Sequence, residues 1–283
     1  MQSPILRSVA AASFICVSLG AAGWAAAAGF ELLAPHRAIY DLKLLAASDR
    51  SGIEAMNGRI VYEITGNECD GMTIRYRFAT EITTVDSAYR SDQQTSTFES
   101  PDGKEFSFLT KTFGDDQPDK VVRGTAIRAA DGVHVSLSEP QKRELQLPDA
   151  SFISSHLVQV IEHARKGDLF VKRAIFDGSE GADEVVTSST VVGTPRTVPQ
   201  TLPGEMAEAA RPVAAQQAWP VTISYFDADP GRSAEALPSY EASFLLYANG
   251  VSRKLVMRYP DYSLSGELTG LEMLKRTDCT KQD

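Results

Sequence analysis

Cysteine is scarce in this chain, and the scarcity is informative. There are three among 283 residues. Cys16 lies in the N-terminal apolar run, which leaves Cys69 and Cys279, far apart and not in a C-x-x-C. No histidine neighbours either one, so the ligand spacing of a structural zinc is missing. Catalytic signatures are missing too: no G-x-S-x-G elbow, no H-E-x-x-H, no G-x-x-x-x-G-K-[ST] loop, no G-x-G-x-x-G. The sequence therefore offers no positive sign of an enzyme or of a bound cofactor. No apolar run of about 20 residues follows the first segment, so a membrane-spanning helix is not expected. Lys and Arg number 28 against 37 acidic residues, a net charge of -9, and they form no basic stripe. That argues against nucleic acid and against anionic membrane surfaces as partners.

What is present begins with an export signal. In residues 1–28, Arg7 supplies the positive start, Val9 to Ala22 the apolar run, and Ala26-Ala27-Ala28 a small-residue cleavage pattern before Gly29. Cys16 follows Ser13-Phe14-Ile15 and lacks the small residue that a lipoprotein signal needs before its cysteine. Cleavage removes Arg7 and no acid, taking the charge from -9 to -10. The mature chain, 29–283, is expected to be soluble and one domain. In an oxidising compartment, Cys69 and Cys279 most simply form one disulfide. It closes a loop of about 210 residues, for which chain entropy gives an upper figure of ~5 kcal/mol.

Hydrophobic periodicity predicts a mainly β chain. Met72, Ile74, Tyr76 and Phe78 alternate with Thr73, Arg75 and Arg77. Similar runs are read at Ile53–Thr65, Arg90–Glu99, Glu105–Phe113, Asp119–Ala129 and Val133–Leu137, and again at Leu169–Phe176 and Asp183–Val192. Near the end, Tyr240–Tyr247 pairs through Asn249-Gly250 with Val251–Tyr259, a strong hairpin signal. Tyr262–Leu274 follows. About a dozen strands joined by short turns make an antiparallel sheet that must curl to cover its apolar faces.

One amphipathic helix interrupts them between Pro148 and Gly167. Ile153, Leu157, Val160, Ile161 and Ala164 share a sector, with Ser155, Gln159, Glu162 and Arg165 opposite. Asp149 or Ser151 is the expected N-cap and Gly167 the stop. From Thr194 to Ala218, four prolines and no periodicity predict a long exposed loop.

Single residues that carry chemistry elsewhere look structural here. His156 and His163 fall seven apart, ~10 Å along the helix, too far to share one metal. They read as boundary histidines. Asp115-Asp116, with Asp119, has the composition of a cation site but reads as loop carboxylates facing water, and Asp227 and Asp229 read as turn residues. The Met and aromatic side chains of the strands make either a plain core or a lipophilic cavity under the helix. In the second case Ile153, Leu157, Val160 and Ile161 would face the cavity.

The chain resembles the EipB-like envelope-integrity proteins of the alphaproteobacterial periplasm. The resemblance rests on LAPHRAIYDLKL (33–44), NECDGMTIRYRF (67–78), LPDASFISSHLVQVIEHARKGD (147–168), FDGSEG (176–181) and the stretch 237–279 ending in Cys279. It implies a long antiparallel sheet rolled into a β-spiral, or broken barrel, with the amphipathic helix in its cup. It implies the Cys69–Cys279 disulfide and no catalytic residues. It further implies a non-enzymatic periplasmic role in envelope integrity, with a periplasmic tetratricopeptide-repeat protein as partner. A carrier of lipid or another apolar ligand in the cup is the alternative.

Overall fold

A computed structural model describes residues 29–179, 181–227 and 237–279. The signal segment, and most of the turn after Asp227, lie outside the described residues. Eight strands precede the long helix: β1 (His36–Ala47), β2 (Ile53–Asn67), β3 (Gly71–Thr84), β4 (Ala88–Glu99), β5 (Glu105–Gly114), β6 (Gln117–Ala129), β7 (Gly132–Glu139) and β8 (Arg143–Leu147). Helix α1 is Ile153–Lys166. Then come β9 (Phe170–Ile175), β10 (Val186–Val192), β11 (Arg196–Thr197), the single turn α2 (Ala207–Ala210), β12 (Gln217–Phe226), β13 (Tyr240–Tyr247), β14 (Ser252–Arg258) and β15 (Tyr262–Met273).

All belong to one 15-stranded sheet, ordered β8-β7-β6-β5-β4-β3-β2-β1-β15-β14-β13-β12-β10-β9, with β11 on β12. The first and last strands thus lie side by side in the middle, paired from His36↔Met273 to Ala47↔Tyr262. The chain meanders outward from β1 to β8 and crosses through α1 to the opposite edge. From β9 it meanders back to β15. Ile64, Met72 and Ile74 of one arm and Val192, Val221, Ile223 and Leu246 of the other pack in one cluster with Val158, Val160 and Ile161 of α1. Two arms of a sheet can meet on one helix only if the sheet is rolled. The barrel is not closed; β8 and β9 remain its edges.

The core divides along the roll. Around α1 it is mainly aliphatic, with Phe30 fully buried among the Val, Ile and Leu side chains. At the β5–β7 end it is built on Phe106, Phe108, Phe152 and Phe176, with Phe106 and Phe152 stacked at 4.8 Å and Phe176 edge-on at 6.1 Å from Phe106. These arrangements suit the ring quadrupole. A third cluster joins Tyr40, Leu42, Met56 and Ile60 to Met257, Leu264 and Leu268 across the central seam.

Three details differ from the sequence reading. Arg143–Leu147 forms a strand, unmarked in sequence because Arg143, Glu144 and Gln146 are exposed and it is an edge. Ser155 and Val158 are buried although they lie outside the predicted apolar sector, because the rolled sheet contacts α1 on several sides. The stretch 194–218 is not a plain exposed loop. Val198, Ala209, Ala210 and Val213 are buried in it. β14 and β15 pair only over Leu255–Arg258 against Ser263–Gly266. Beyond that the strap takes over, with the Met206 N–H on the Leu268 carbonyl at 3.0 Å. It is held by scattered side chains and not by a repeating face, so periodicity could not reveal it.

Candidate functional site

The two mature cysteines meet. The β2–β3 hairpin turn places Asn67 so that its side-chain carbonyl accepts from the N–H groups of Cys69 and Asp70, both at 2.7 Å. This Asx turn presents the Cys69 sulfur outward. Leaving β15, the chain returns to the same hairpin. Asn67 Nδ2 donates to Thr277 Oγ1 at 2.9 Å, and Arg276 pairs with Glu68 at 2.8 Å while donating to the Leu33 carbonyl. Cys69 and Cys279 form a disulfide with Cα atoms 5.5 Å apart, inside the ordinary range. Glu68 is the only other ligand-type group beside the two sulfurs among the described residues. Oxidised sulfurs offer no thiolate, so this clasp is not a metal centre.

The helix is seated by a residue that the sequence did not single out. Neither Asp149 nor Ser151 caps it. Asp149 binds Arg128 at 2.7 Å, and the Ser151 backbone pairs with Ala174 and Phe176 at the β9 edge. Helical geometry can start only after that pairing ends, so extended Phe152 takes the N-cap position with no side-chain bond. The orphan N–H groups of Ser154 and Ser155 go instead to the carboxylate of Glu99, from the end of β4, at 2.9 and 3.2 Å. Ser155 Oγ donates to its other oxygen. Burial pushes the Glu99 carboxyl above its usual range, opposed by the bonds from Ser155 and Ser154. The helix dipole also favours an anion at this end.

The apolar face does what core residues do. Val160 and Ile161 are fully buried; Ile153 and Leu157 are half-buried against the same cluster. Full burial of such a side chain contributes about 1.5–3 kcal/mol. His156 is buried as well, with Nε2 3.2 Å from Ser188 Oγ, and burial lowers its pKa to about 4. A neutral imidazole beside a serine has the ingredients of a nucleophile and base. Ser188 is itself fully buried and bonds the Arg173 carbonyl, so no substrate reaches it. His163 binds Asp168 at 2.7 Å, His134 binds Asp131 at 2.9 Å, and His36 Nδ1 lies 2.7 Å from the Ala34 carbonyl. The four histidines are not brought together. Asp115 and Asp116 take left-handed backbone in the β5–β6 turn, and Asp115 accepts from the Arg90 N–H at 2.8 Å.

On the convex side, β2 to β5 form a depression of about 350 Å³. Its floor includes Val61 and Leu109, and Arg75, Arg77 and Lys111 rim it with Glu63. Strand pairing makes this a ladder, since Arg75 stands opposite Glu63 and Ser96, and Arg77 opposite Val61 and Gln94. Glu63 receives Arg37 and Arg75. Partial burial alone would raise its pKa, but those hydrogen bonds outweigh it and the net shift is downward. The depression is shallow, with paired charges at the rim and apolar side chains at the floor. A buried ion pair, Arg253 with Glu205, pins the strap from below; the two are 0% and 2% exposed. Arg253 sits at a position where strand alternation calls for an apolar residue. That was the signal for it.

Among the described residues, no helix is long and apolar enough to cross a membrane. Comparison with known proteins gives a consistent answer. A family model described as EipB-like matches residues 27–275. The cell envelope integrity protein EipB of Brucella abortus (strain 2308) is 40% identical over 98% of this chain and 99% of its own length. The crystal structure of a beta-barrel-like protein from Brucella abortus superposes with a TM-score of 0.80. It shares 40% identity and covers 86% of this chain and 99% of that one.

Proposed function

The chain belongs to the EipB-like family, and on that footing we propose that it is a non-enzymatic periplasmic protein that maintains the cell envelope by binding a protein partner. The observation that carries the reading is the near full-length similarity to a protein named for cell envelope integrity. A signal-like N-terminus and a disulfide fit residence in an oxidising compartment. The partner proposed is a periplasmic tetratricopeptide-repeat protein, and the face proposed for it is the convex depression over Val61 and Leu109. A rigid sheet held by its own disulfide offers such a partner a surface that needs no ordering on binding. The cup gives less support to the carrier alternative, because Val160 and Ile161 are spent as core contacts.

Deleting the gene in its host should increase sensitivity to envelope-directed detergent and antibiotic, and restoring it should reverse the effect. Titration calorimetry of the purified chain with the host's repeat protein should show binding. Arg75→Gln with Lys111→Glu should weaken that binding about tenfold or more, and the melting temperature should fall only by the loss of the Arg75–Glu63 pair, which Arg75→Gln alone measures. Unaltered stress resistance in the deletion strain would remove the envelope role. Undiminished binding by the double variant would remove the assigned face.

A further inference from the structure

The turn from α1 into β9 exposes an uninterrupted run from Arg165 to Phe170. Within it Leu169 is 65% and Phe170 60% exposed, and Val191, opposite Phe170 on β10, is 54% exposed. Neighbouring Val171 and Val192 are buried at 3% each, so Phe170 and Val191 stand together on the outer face. Single exposed apolar residues are ordinary, but three together at a sheet edge, one on the edge strand β9, one just before it and one on its neighbour β10, are a liability that edges usually blunt with charge. Here charge surrounds the cluster and does not interrupt it. Arg165 and Lys166 precede it, and Lys172 follows on the same face as Phe170. Lys166 and Lys172 have no ion-pair partner among the described residues. Asp168, the acid within the run, is engaged by His163.

We infer that this corner is a membrane-contact site, which docks the protein on an anionic phospholipid bilayer. An apolar tip ringed by cations matches a headgroup layer, where Leu and Phe enter the acyl boundary and Lys and Arg meet phosphate. Leu169, Phe170 and Val191 are exposed and lie outside the depression that Lys166 and Arg173 line, which favours a bilayer over an acidic protein. Outside this corner the surface is acidic, since the whole chain has a net charge of -9 with the corner's cations included. It is repelled by the same membrane, so contact is confined to this edge. The low overall basicity, which argues against anionic membranes for the chain as a whole, is an average over the molecule and does not describe this one corner. This inference goes beyond the proposed partner binding and does not depend on it.

The test is vesicle co-sedimentation of the purified chain. Vesicles of phosphatidylethanolamine with phosphatidylglycerol should retain it, vesicles of phosphatidylcholine alone should not, and added salt should release it. Phe170→Asp and, separately, Lys166→Glu with Lys172→Glu should each reduce retention about tenfold or more. All three positions are exposed, so the melting temperature should hold and serves as the check on folding. No retention on anionic vesicles would overturn the inference. Equal retention on both vesicle types, or retention untouched by the variants, would overturn it too. Binding to polyglutamate without binding to vesicles would replace the bilayer with an acidic protein.

Discussion

At the scale of single residues, two buried ionisable groups at the first turn of α1, His156 within it and Glu99 reaching it from β4, pull in opposite directions. His156 is neutral in the folded state, with its pKa lowered from 6.5 to about 4. As pH falls through 6.5 the unfolded chain takes up the proton first, so this group's contribution is lost between about pH 6.5 and 4. A shift of that size corresponds to about 3 kcal/mol. Glu99 has the reverse sign. Its raised pKa means that the folded state binds the proton more readily, so it adds stability as pH falls through its folded value. The melting temperature should therefore fall between pH 7 and 4.5, and His156→Gln should flatten that fall. Parallel curves for the two proteins would assign the acid sensitivity elsewhere. The sequence showed His156 at the edge of an apolar stripe. It could not show the burial, because Ser188 and Arg173 arrive from strands that follow the helix.

At the scale of elements, the strap over the convex side depends on one ion pair. Removing Glu205 leaves the Arg253 guanidinium buried with carbonyls and the Tyr247 hydroxyl as its remaining partners. Such an uncompensated charge costs about 3–5 kcal/mol. Glu205→Ala should lower the melting temperature and open the strap to trypsin at Arg196 before the sheet is cut. Replacing both partners with apolar residues should restore much of the loss. A strap that resists trypsin in Glu205→Ala would show that Val198 and Val213 hold it unaided. The same comparison shows what could be read in advance. Strong alternation, as in Met72 to Phe78, and the Asn249-Gly250 turn identify strands because the signal is local. The helix showed in Leu157, Val160 and Ile161 for the same reason. Its capping by Glu99 did not show, since a contact across about 55 residues leaves no local trace. Of the candidate site, the cysteine pair was legible from its number and compartment, whereas the Val61–Leu109 depression needs four strands in register.

At the scale of the molecule, the disulfide closes a span of 210 residues and ties the tail after β15 to the β2–β3 hairpin. Cys279→Ser should lower the melting temperature by several degrees, with chain entropy setting a ceiling of ~5 kcal/mol. Adding Cys69→Ser should cost little more, because the pair acts as one bond. If reduction verified by thiol count leaves the melting temperature unchanged, the β1–β15 seam alone carries the closure. That seam also sets a timetable. β1 is made early, and one of its two pairing sides stays bare until β15, the last strand, arrives. During synthesis, and in any passage through a translocation channel from the N-terminus, the outgoing arm β1 to β8 therefore waits with a sticky central edge. The protein's exposure to aggregation is greatest just before β15 takes its place, and a holding chaperone would have β1 as its natural target.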